Sequence, residues 1–488
     1  MERDRAGDRQ TIKAFSVERY PGRATGTVTA NRPSIVWITL DSVRADHTTI
    51  DGYRRETTPN LEALATDGTA SSNCFAHSNA TLRSSASILT GMEPSRHTVG
   101  MGSSRLPDEV QTVPERFAEV GYKTACLSRN SHLSEATGLD RGFDRFEWLS
   151  ASTLLEVAGI RTTLSYLRNI RKHSAGFTLD PAKHATPFVM NEVASRWLRD
   201  LADAQPFFLY LHYNEPHRPY FPPLPYLEHY TDEITLSPAE ATNLSMEVHR
   251  NCSQFIADGL PLDEDEWEAL KAMYDAEIAY TDDRVGALIE EIRTIVGPDC
   301  VIVVTADHGE LFGEGGMLAH RVVLHDAVLR VPLIVSGLDV DVPEERLVQH
   351  ADVMMTLLAR ADGRTEGLQG VPLETEDREH VFAERGRVDL DAYRSRNPEF
   401  DSAGYRASPL HAVRDVSFKY LESGGEGRLH ELPDEDTEVS ATFPDVRESL
   451  ARRLHERLEA ASGSIGPERN PEFTRAMQRQ LKDLGYFD

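Results

Sequence analysis

The chain has little lysine. Of 52 basic residues in 488, seven are lysine and 45 are arginine, set against 79 acidic residues. The formal charge is −27 and the sequence pI is about 5.1. Such a chain lacks the net basic face that neutralises phosphates, which excludes nucleic acid as a partner. A small anionic substrate stays compatible, because a metal ion or a few arginines reverse the sign locally. Cysteine is also scarce. Cys74, Cys126, Cys252 and Cys300 are far apart, with no metal or redox spacing. Cys126 and Cys300 sit inside apolar runs, so they read as buried thiols in a reducing, cytoplasmic setting rather than as a disulfide framework. No apolar run reaches the roughly 18 residues of a membrane-spanning helix. The opening residues, Met1 to Gln10, lack the apolar stretch of a secretory signal.

An acidic surface with so few lysines resembles that of haloarchaeal-type proteins, which work in molar salt. There the Debye length shrinks to about 3 Å and repulsion between carboxylates is screened. An ordinary acidic enzyme is the plainer alternative.

At roughly 150 residues per domain, the length suits one large domain with a smaller one, or two to three small ones. Residues 1–30 are polar and aperiodic and read as a loose tail. Five short, near-continuously apolar runs follow: Ser34–Leu40, Lys123–Ser128, Pro206–His212, Cys300–Ala306 and Val331–Ser336. That is the pattern of strands buried on both faces. Helical patterns lie between them. Thr58-Pro59-Asn60 opens Leu61–Asp67, Val113–Val120 precedes a strand, and Asp263–Val296 is long. On that long helix Tyr274, Asp275 and Glu277 read as a solvated face with packing contacts. Strands alternating with helices predict an α/β fold with a central, mostly parallel sheet, whose ligands bind at the carboxyl ends of the strands. This large domain spans residues 31–375. Beyond it, acidic and arginine-rich stretches surround a short pattern at His411–Leu421 and a helix at Val446–Ala461, which read as a smaller C-terminal α+β subdomain over 376–488.

The chemistry gathers at strand ends. The first strand runs into Asp41-Ser42-Val43-Arg44-Ala45-Asp46-His47, and the fourth into Asp307-His308-Gly309-Glu310. Carboxylates with an imidazole on one rim suit a divalent cation; taken singly, each is as readily a cap or turn former. The third element is Asn79-Ala80-Thr81-Leu82-Arg83-Ser84-Ser85, a hydroxyl-rich turn leading into a short helix closed by Gly91. A hydroxyl at a helix start beside a metal ion becomes a nucleophile. Standing alone, the segment reads as a Ser/Thr-rich helix cap.

These residues resemble the sulfatases of the alkaline phosphatase superfamily. The likeness runs through Leu40–His47, Thr57-Thr58-Pro59-Asn60-Leu61, Ser85–His97, Arg141–Phe146, Glu215–Tyr220, Tyr274–Gly286, Asp307–Gly316, Arg330–Val335 and Leu484-Gly485-Tyr486, so it covers most of the chain. It implies a large α/β domain followed by a smaller one with a four-stranded antiparallel sheet and a helix. In sulfatases the nucleophile is a formylglycine made from Cys or Ser in Cys/Ser-x-Pro-x-Arg. Counting back from Leu89-Thr90-Gly91, that position is Thr81, with Arg83 in place of the proline and Ser85 in place of the arginine. Oxidising Thr would give a ketone, so no formylglycine is expected. Relatives with Thr or Ser here act on phosphate esters or transfer phosphoglycerol groups.

The resemblance assigns Asp41, Asp307 and His308 to one divalent ion, Mn²⁺ or Mg²⁺ with Ca²⁺ also compatible. It assigns Thr81 as nucleophile, His217 and His320 to the ester group and leaving oxygen, and Arg83, Asn130 and His132 to substrate binding. A second metal would need a carboxylate upstream of His217, where Glu215 is the available one. The pocket walls fall on Leu154–Thr186 and Pro222–Leu260, read as loops that name no substrate. Three readings follow: a metal-dependent hydrolase of sulfate or phosphate esters, a phospho(glycerol)transferase using the same covalent intermediate, and a non-catalytic binder of anionic glycans. The oligomeric state is not legible.

Overall fold

The computed structural model describes residues 32–178, 180, 183–343, 345–374, 377–461 and 470–485. The expected tail at residues 1–30 lies outside these, as do the boundary drawn at 375/376 and Tyr486. The main unit, from Pro33 onward, carries ten strands ahead of its C-terminal sheet. They are β1 (Ile35–Leu40), β2 (Gly68–Phe75), β3 (Lys123–Ser128), β4 (Arg145–Trp148), β5 (Phe207–Tyr213), β6 (Val301–Ala306), β7 (Leu311–Phe312), β8 (Leu318–Ala319), β9 (Arg330–Ser336) and β10 (Val348–Gln349).

Apolar runs become strands here because helices cover both faces of the sheet. β1, β5 and β6 are buried along their whole length. Each large apolar side chain so buried contributes about 1.5–3 kcal/mol. The sheet order is β10-β2-β9-β6-β1-β5-β3-β4. β1 pairs in parallel with both β5 and β6, and β3 in parallel with β5 and β4. β9 runs against both its neighbours, β6 and β2. One polar chain inside this core is matched: Trp37 Nε1 donates to Thr39 Oγ1, which donates to the Tyr210 hydroxyl, both at 3.0 Å.

The sheet is therefore α/β and mostly parallel, as expected, and the five anticipated strands fall within one residue of their places. β2 was not anticipated. Its sequence, GTASSNCF, is small and polar, and it is a strand because it pairs with β9.

The C-terminal sheet is β11 (Val381–Arg385), β12 (Leu410–Arg414), β13 (Phe418–Ser423) and β14 (Glu426–Glu431), antiparallel in that order. The single pattern read at His411–Leu421 is two strands. Between them Asp415 Oδ1 accepts from the amides of Ser417 and Phe418 at 2.7 and 2.8 Å, and an Asp closing on its own backbone makes a turn. Helix Pro444–Ala461 packs Leu450 and Leu454 against Val413, Tyr420 and Leu429.

The long helix is Glu264–Ile295. Asp263 accepts from the Glu266 amide at 2.9 Å and Glu266 returns to the Asp263 amide at 3.0 Å, a capping box. Tyr274, Asp275 and Glu277 are buried, which corrects the solvated-face reading. Helices Pro59–Thr66, Pro187–Ala202 and Pro238–Arg250 all pack on this helix, so more than one of its faces is inside. Asp275 accepts from Arg55 at 2.6 Å and from the Tyr53 hydroxyl at 2.9 Å, and lies 2.6 Å from His47 Nδ1. The segments read as loops also fold: they hold helices Leu154–Arg168, Pro238–Arg250 and Cys252–Ala257. All four cysteines are buried and free. Among the described residues no helix is long and apolar enough to cross a membrane.

Candidate active site

Register decides which side chains meet. Leu40 pairs with Tyr213 on one side and with Ala306 on the other. Asp41 therefore leaves β1 level with Asp307 leaving β6, and His212 stands one residue before the end of β5. Ser128, the last residue of β3, pairs with His212 and delivers Asn130 to the same rim.

Ser42 locks the turn between the two carboxylates. Its φ is +69°, in the left-handed region. Its amide donates to Asp307 Oδ1 at 3.2 Å, its hydroxyl to Asp41 Oδ1 at 3.0 Å, and its carbonyl accepts from the Tyr274 hydroxyl at 2.6 Å. Surroundings that fix a residue this fully hold such a conformation against its cost. Gly309 is required for a related reason: a Cβ there would stand 2.2 Å from the Ala327 carbonyl oxygen.

Asp41, His212 and Asp307 each offer a ligand atom, all within 4.8 Å of one another, and all three residues are buried. No other such group occurs among the described residues. Asp307 Oδ2 is buried with no hydrogen-bond partner among them. An orphaned carboxylate oxygen costs free energy that a cation removes, so the donor set fits a divalent ion. Asn130 Nδ2 donates to Asp41 Oδ2 at 3.0 Å, and His212 Nε2 lies 3.4 Å from the same oxygen. Burial alone would raise Asp41, but His217, His212 and His308 outweigh it and hold the carboxyl well below its usual range. Asp307 is raised, by burial first and then by the charge of Asp41.

Thr81 opens helix Thr81–Thr90. Its cap residue, Ala80, has no side chain with which to take the first free amides. Thr81 Oγ1 lies 3.2 Å from His308 Nε2. His308 Nδ1 sits 2.8 Å from the Gly309 carbonyl, which can only accept, so Nδ1 carries a proton and Nε2 faces the threonine. The same Nε2 is 3.9 Å from Asp41 and 3.7 Å from Asp307. A row of imidazoles continues from it: His308 to His320 at 4.5 Å between ring centres, then His320 to His217 at 5.2 Å. His320 Nδ1 is 3.2 Å from Glu310, and Asn79 Nδ2 holds the His320 and Val323 carbonyls, both at 3.1 Å. His217 Nδ1 donates to the Arg218 carbonyl at 2.9 Å, and burial lowers this imidazole to about 4.

The three expected substrate groups have the following surroundings. Asn130 donates to the Asp41 carboxylate and accepts from the His132 amide, both at 3.0 Å. His132 lies edge-on to Phe473 at 6.2 Å, and burial lowers it to about 3. Arg83 donates to Ser78 Oγ at 2.7 Å and Asn79 Oδ1 at 2.9 Å, and no carboxylate pairs with it among the described residues; burial lowers it to about 10. Glu215 accepts from the Thr186 amide and hydroxyl, at 2.7 and 3.0 Å. The residue that sequence reasoning passed over is His212. It closes the third apolar run, paired with Thr39 two residues before Asp41, and that place near the same strand ends was the available signal.

Comparison with known proteins gives the context. An arylsulfatase of Clostridium perfringens is 25% identical over 368 residues, 67% of this chain and 74% of that protein. A choline-sulfatase of Rhizobium meliloti is 24% identical over 408 residues, 74% and 73% of the two chains. The crystal structure of a phosphonate monoester hydrolase of Agrobacterium radiobacter superposes with a TM-score of 0.67 at 23% identity, covering 88% of this chain and 96% of that one. The sulfatase family model matches residues 33–363, and the chain belongs to the sulfatase family.

Proposed function

We propose that the chain is a metal-dependent hydrolase that cleaves a sulfate or phosphate ester through a Thr81 nucleophile. The observation that carries this reading is Thr81 Oγ1 at 3.2 Å from His308 Nε2, beside two buried carboxylates. Family membership makes the protein an ester hydrolase of the sulfuric or phosphoric class. Thr81 in place of a formylglycine precursor, with a phosphonate monoester hydrolase among the structural relatives, supports phosphate esters at least as well as sulfate esters.

Asp41, Asp307, His308 and His212 would hold the ion, which when bound lowers the hydroxyl pKa and offsets developing negative charge. Thr81 Oγ1 gives up its proton to bulk water and attacks the sulfur or phosphorus, forming a Thr81 ester as the bond to the ester oxygen breaks. The ester oxygen leaves on the opposite side and takes a proton from His217. Burial lowers His217 against the opposing pull of Asp41, and a bound anion favours its imidazolium. Water, giving a proton back to the His217 imidazole, then attacks the sulfur or phosphorus, and the Thr81 oxygen leaves and regains a proton as the acid is released. His320, held by Glu310 and by Asn79, keeps His308 and His217 in one row. The free, buried cysteines support a reducing, cytoplasmic setting, and the charge of −27 supports a working range at high salt.

The test is a paired rate assay with Mn²⁺ at high salt, on 4-nitrophenyl sulfate, 4-nitrophenyl phosphate and bis(4-nitrophenyl) phosphate, for wild type and Thr81→Ala. Turnover of at least one ester, lost by on the order of 10⁴-fold in the variant, is expected. Equal rates in the two proteins would overturn the assignment of Thr81.

A further inference from the structure

Helix Leu154–Arg168 turns its apolar side outward. Of the six large apolar side chains exposed among the described residues, four lie on it: Leu155, Ile160, Leu164 and Leu167, from 50% to 71% exposed. Ile160, Leu164 and Leu167 follow the i, i+4, i+7 spacing of one helical face. The opposite face packs inward, where Ala158, Thr162 and Tyr166 are buried. Side-chain bonds fix the helix in this orientation. Gly159 leaves helical geometry at φ +78°, and the carbonyls of Val157 and Ala158 beside this kink accept from Arg196 at 2.7 and 2.8 Å. The Tyr166 hydroxyl lies 3.0 Å from His184 Nδ1. Soluble monomers seldom carry a large exposed apolar patch without a use for it.

Charge narrows the occupant. Between Leu154 and Phe177 four basic residues, Arg161, Arg168, Arg171 and Lys172, stand against one acidic residue, Glu156. The segment is therefore net positive in a chain of net charge −27. All four cations are exposed, and no carboxylate pairs with any of them among the described residues. With 3.6 residues per turn, Arg161 and Arg168 fall side by side along one edge of the apolar stripe. Arg171 and Lys172 follow in the short helix Ile170–Lys172. A second copy meeting this face with its own would set the four cations against the same four, since a two-fold contact pairs like with like. An apolar ligand would leave the cations unused. A bilayer of anionic lipid takes both, the apolar side chains among its acyl chains and the cations on its phosphates.

We propose that this face docks the protein on an anionic lipid surface. Ile160, Leu164 and Leu167 enter the boundary between headgroups and acyl chains, and Arg161, Arg168, Arg171 and Lys172 meet lipid phosphates. The contact is peripheral. From Ile160 to Arg168 the helix is about 14 Å long, far short of a bilayer core of about 30 Å, and it lies along the surface. Apolar burial sustains the contact in strong salt, where screening confines the charge attraction to the closest approach. The docking adds a place of work to the chain and leaves the reaction proposed at Thr81 unchanged.

Vesicle flotation tests this without any turnover. The full chain is mixed with vesicles of phosphatidylglycerol or of phosphatidylcholine, at the lowest salt that keeps it folded. Two variants are run beside it, one combining Ile160→Ser, Leu164→Ser and Leu167→Ser, the other Arg161→Gln, Arg168→Gln, Arg171→Gln and Lys172→Gln. Wild type is expected to partition onto phosphatidylglycerol at least about 10-fold more strongly than onto phosphatidylcholine. The serine variant is expected to lose about 10-fold or more on phosphatidylglycerol, and the glutamine variant to fall to the phosphatidylcholine level. Thermal melting checks that both variants fold; should the serine variant fail to, the glutamine variant carries the comparison. Wild type that floats with neither lipid, or with both alike, overturns the proposal, as do variants that float like wild type. A wild-type dimer in light scattering that the serine variant converts to monomer assigns the face to a second copy and overturns the lipid assignment.

Discussion

Thr81 Oγ1 and His308 Nε2 stand 3.2 Å apart, on two elements separated by 227 residues of sequence. The Gly309 carbonyl fixes the imidazole's other nitrogen, so Nε2 faces the helix that Thr81 opens. Thr81→Ser keeps the oxygen and should retain measurable turnover, whereas Thr81→Ala should not. Steady-state rates of both variants check this, and a dead serine variant would show that the threonine methyl is essential to the geometry.

Asn130 holds Asp41, and groups that orient a metal ligand typically matter to metal affinity by about 10–100-fold. Asn130→Ala should raise the Mn²⁺ concentration for half-maximal activity by about that factor, and chelation should abolish activity in both proteins. Metal titration of the stripped protein gives the answer directly.

Arg55 and Asp275 form a fully buried ion pair at 2.6 Å. Removing one partner strands the other charge. Arg55→Met should therefore cost about 3–5 kcal/mol, measured by denaturant unfolding. A loss below about 1 kcal/mol, the range of exposed pairs, would contradict the burial of this network.

Glu277 is pushed well above the ordinary carboxyl range, by burial first and by nearby Glu215 second. A folded-state pKa above the unfolded one means that the native state holds its proton longer. Stability is then lost as pH rises from the ordinary carboxyl value toward the raised one, by about 1.4 kcal/mol per pH unit. Glu277→Gln removes that penalty. The variant should melt higher than wild type at pH 8 and alike near pH 4. Equal melting at both would refute the shift.

Much of the fold was legible because burial on both faces leaves a plain mark: runs such as Lys123–Ser128 are apolar regardless of context. β2 left no such mark, since Gly68–Phe75 draws its strand character from β9. The solvated-face reading of Asp275 and Glu277 failed because charge in a sequence carries no information about a partner such as Arg55, 220 residues away. Strand-end logic reached Asp41, Asp307 and His308. It stopped short of His212 only because a histidine inside an apolar run reads as strand. The fixing role of Ser42 depends on a left-handed backbone that no residue type announces.

The central claim is a covalent bond to Thr81. Wild-type protein is mixed with the fastest 4-nitrophenyl ester, quenched in acid within the first turnovers, digested and analysed by mass spectrometry. The account predicts a sulfo or phospho adduct on Thr81 that appears with the first turnover and decays as substrate is consumed. Rapid turnover with an unmodified Thr81 at every quench time would contradict it and transfer the attack to water.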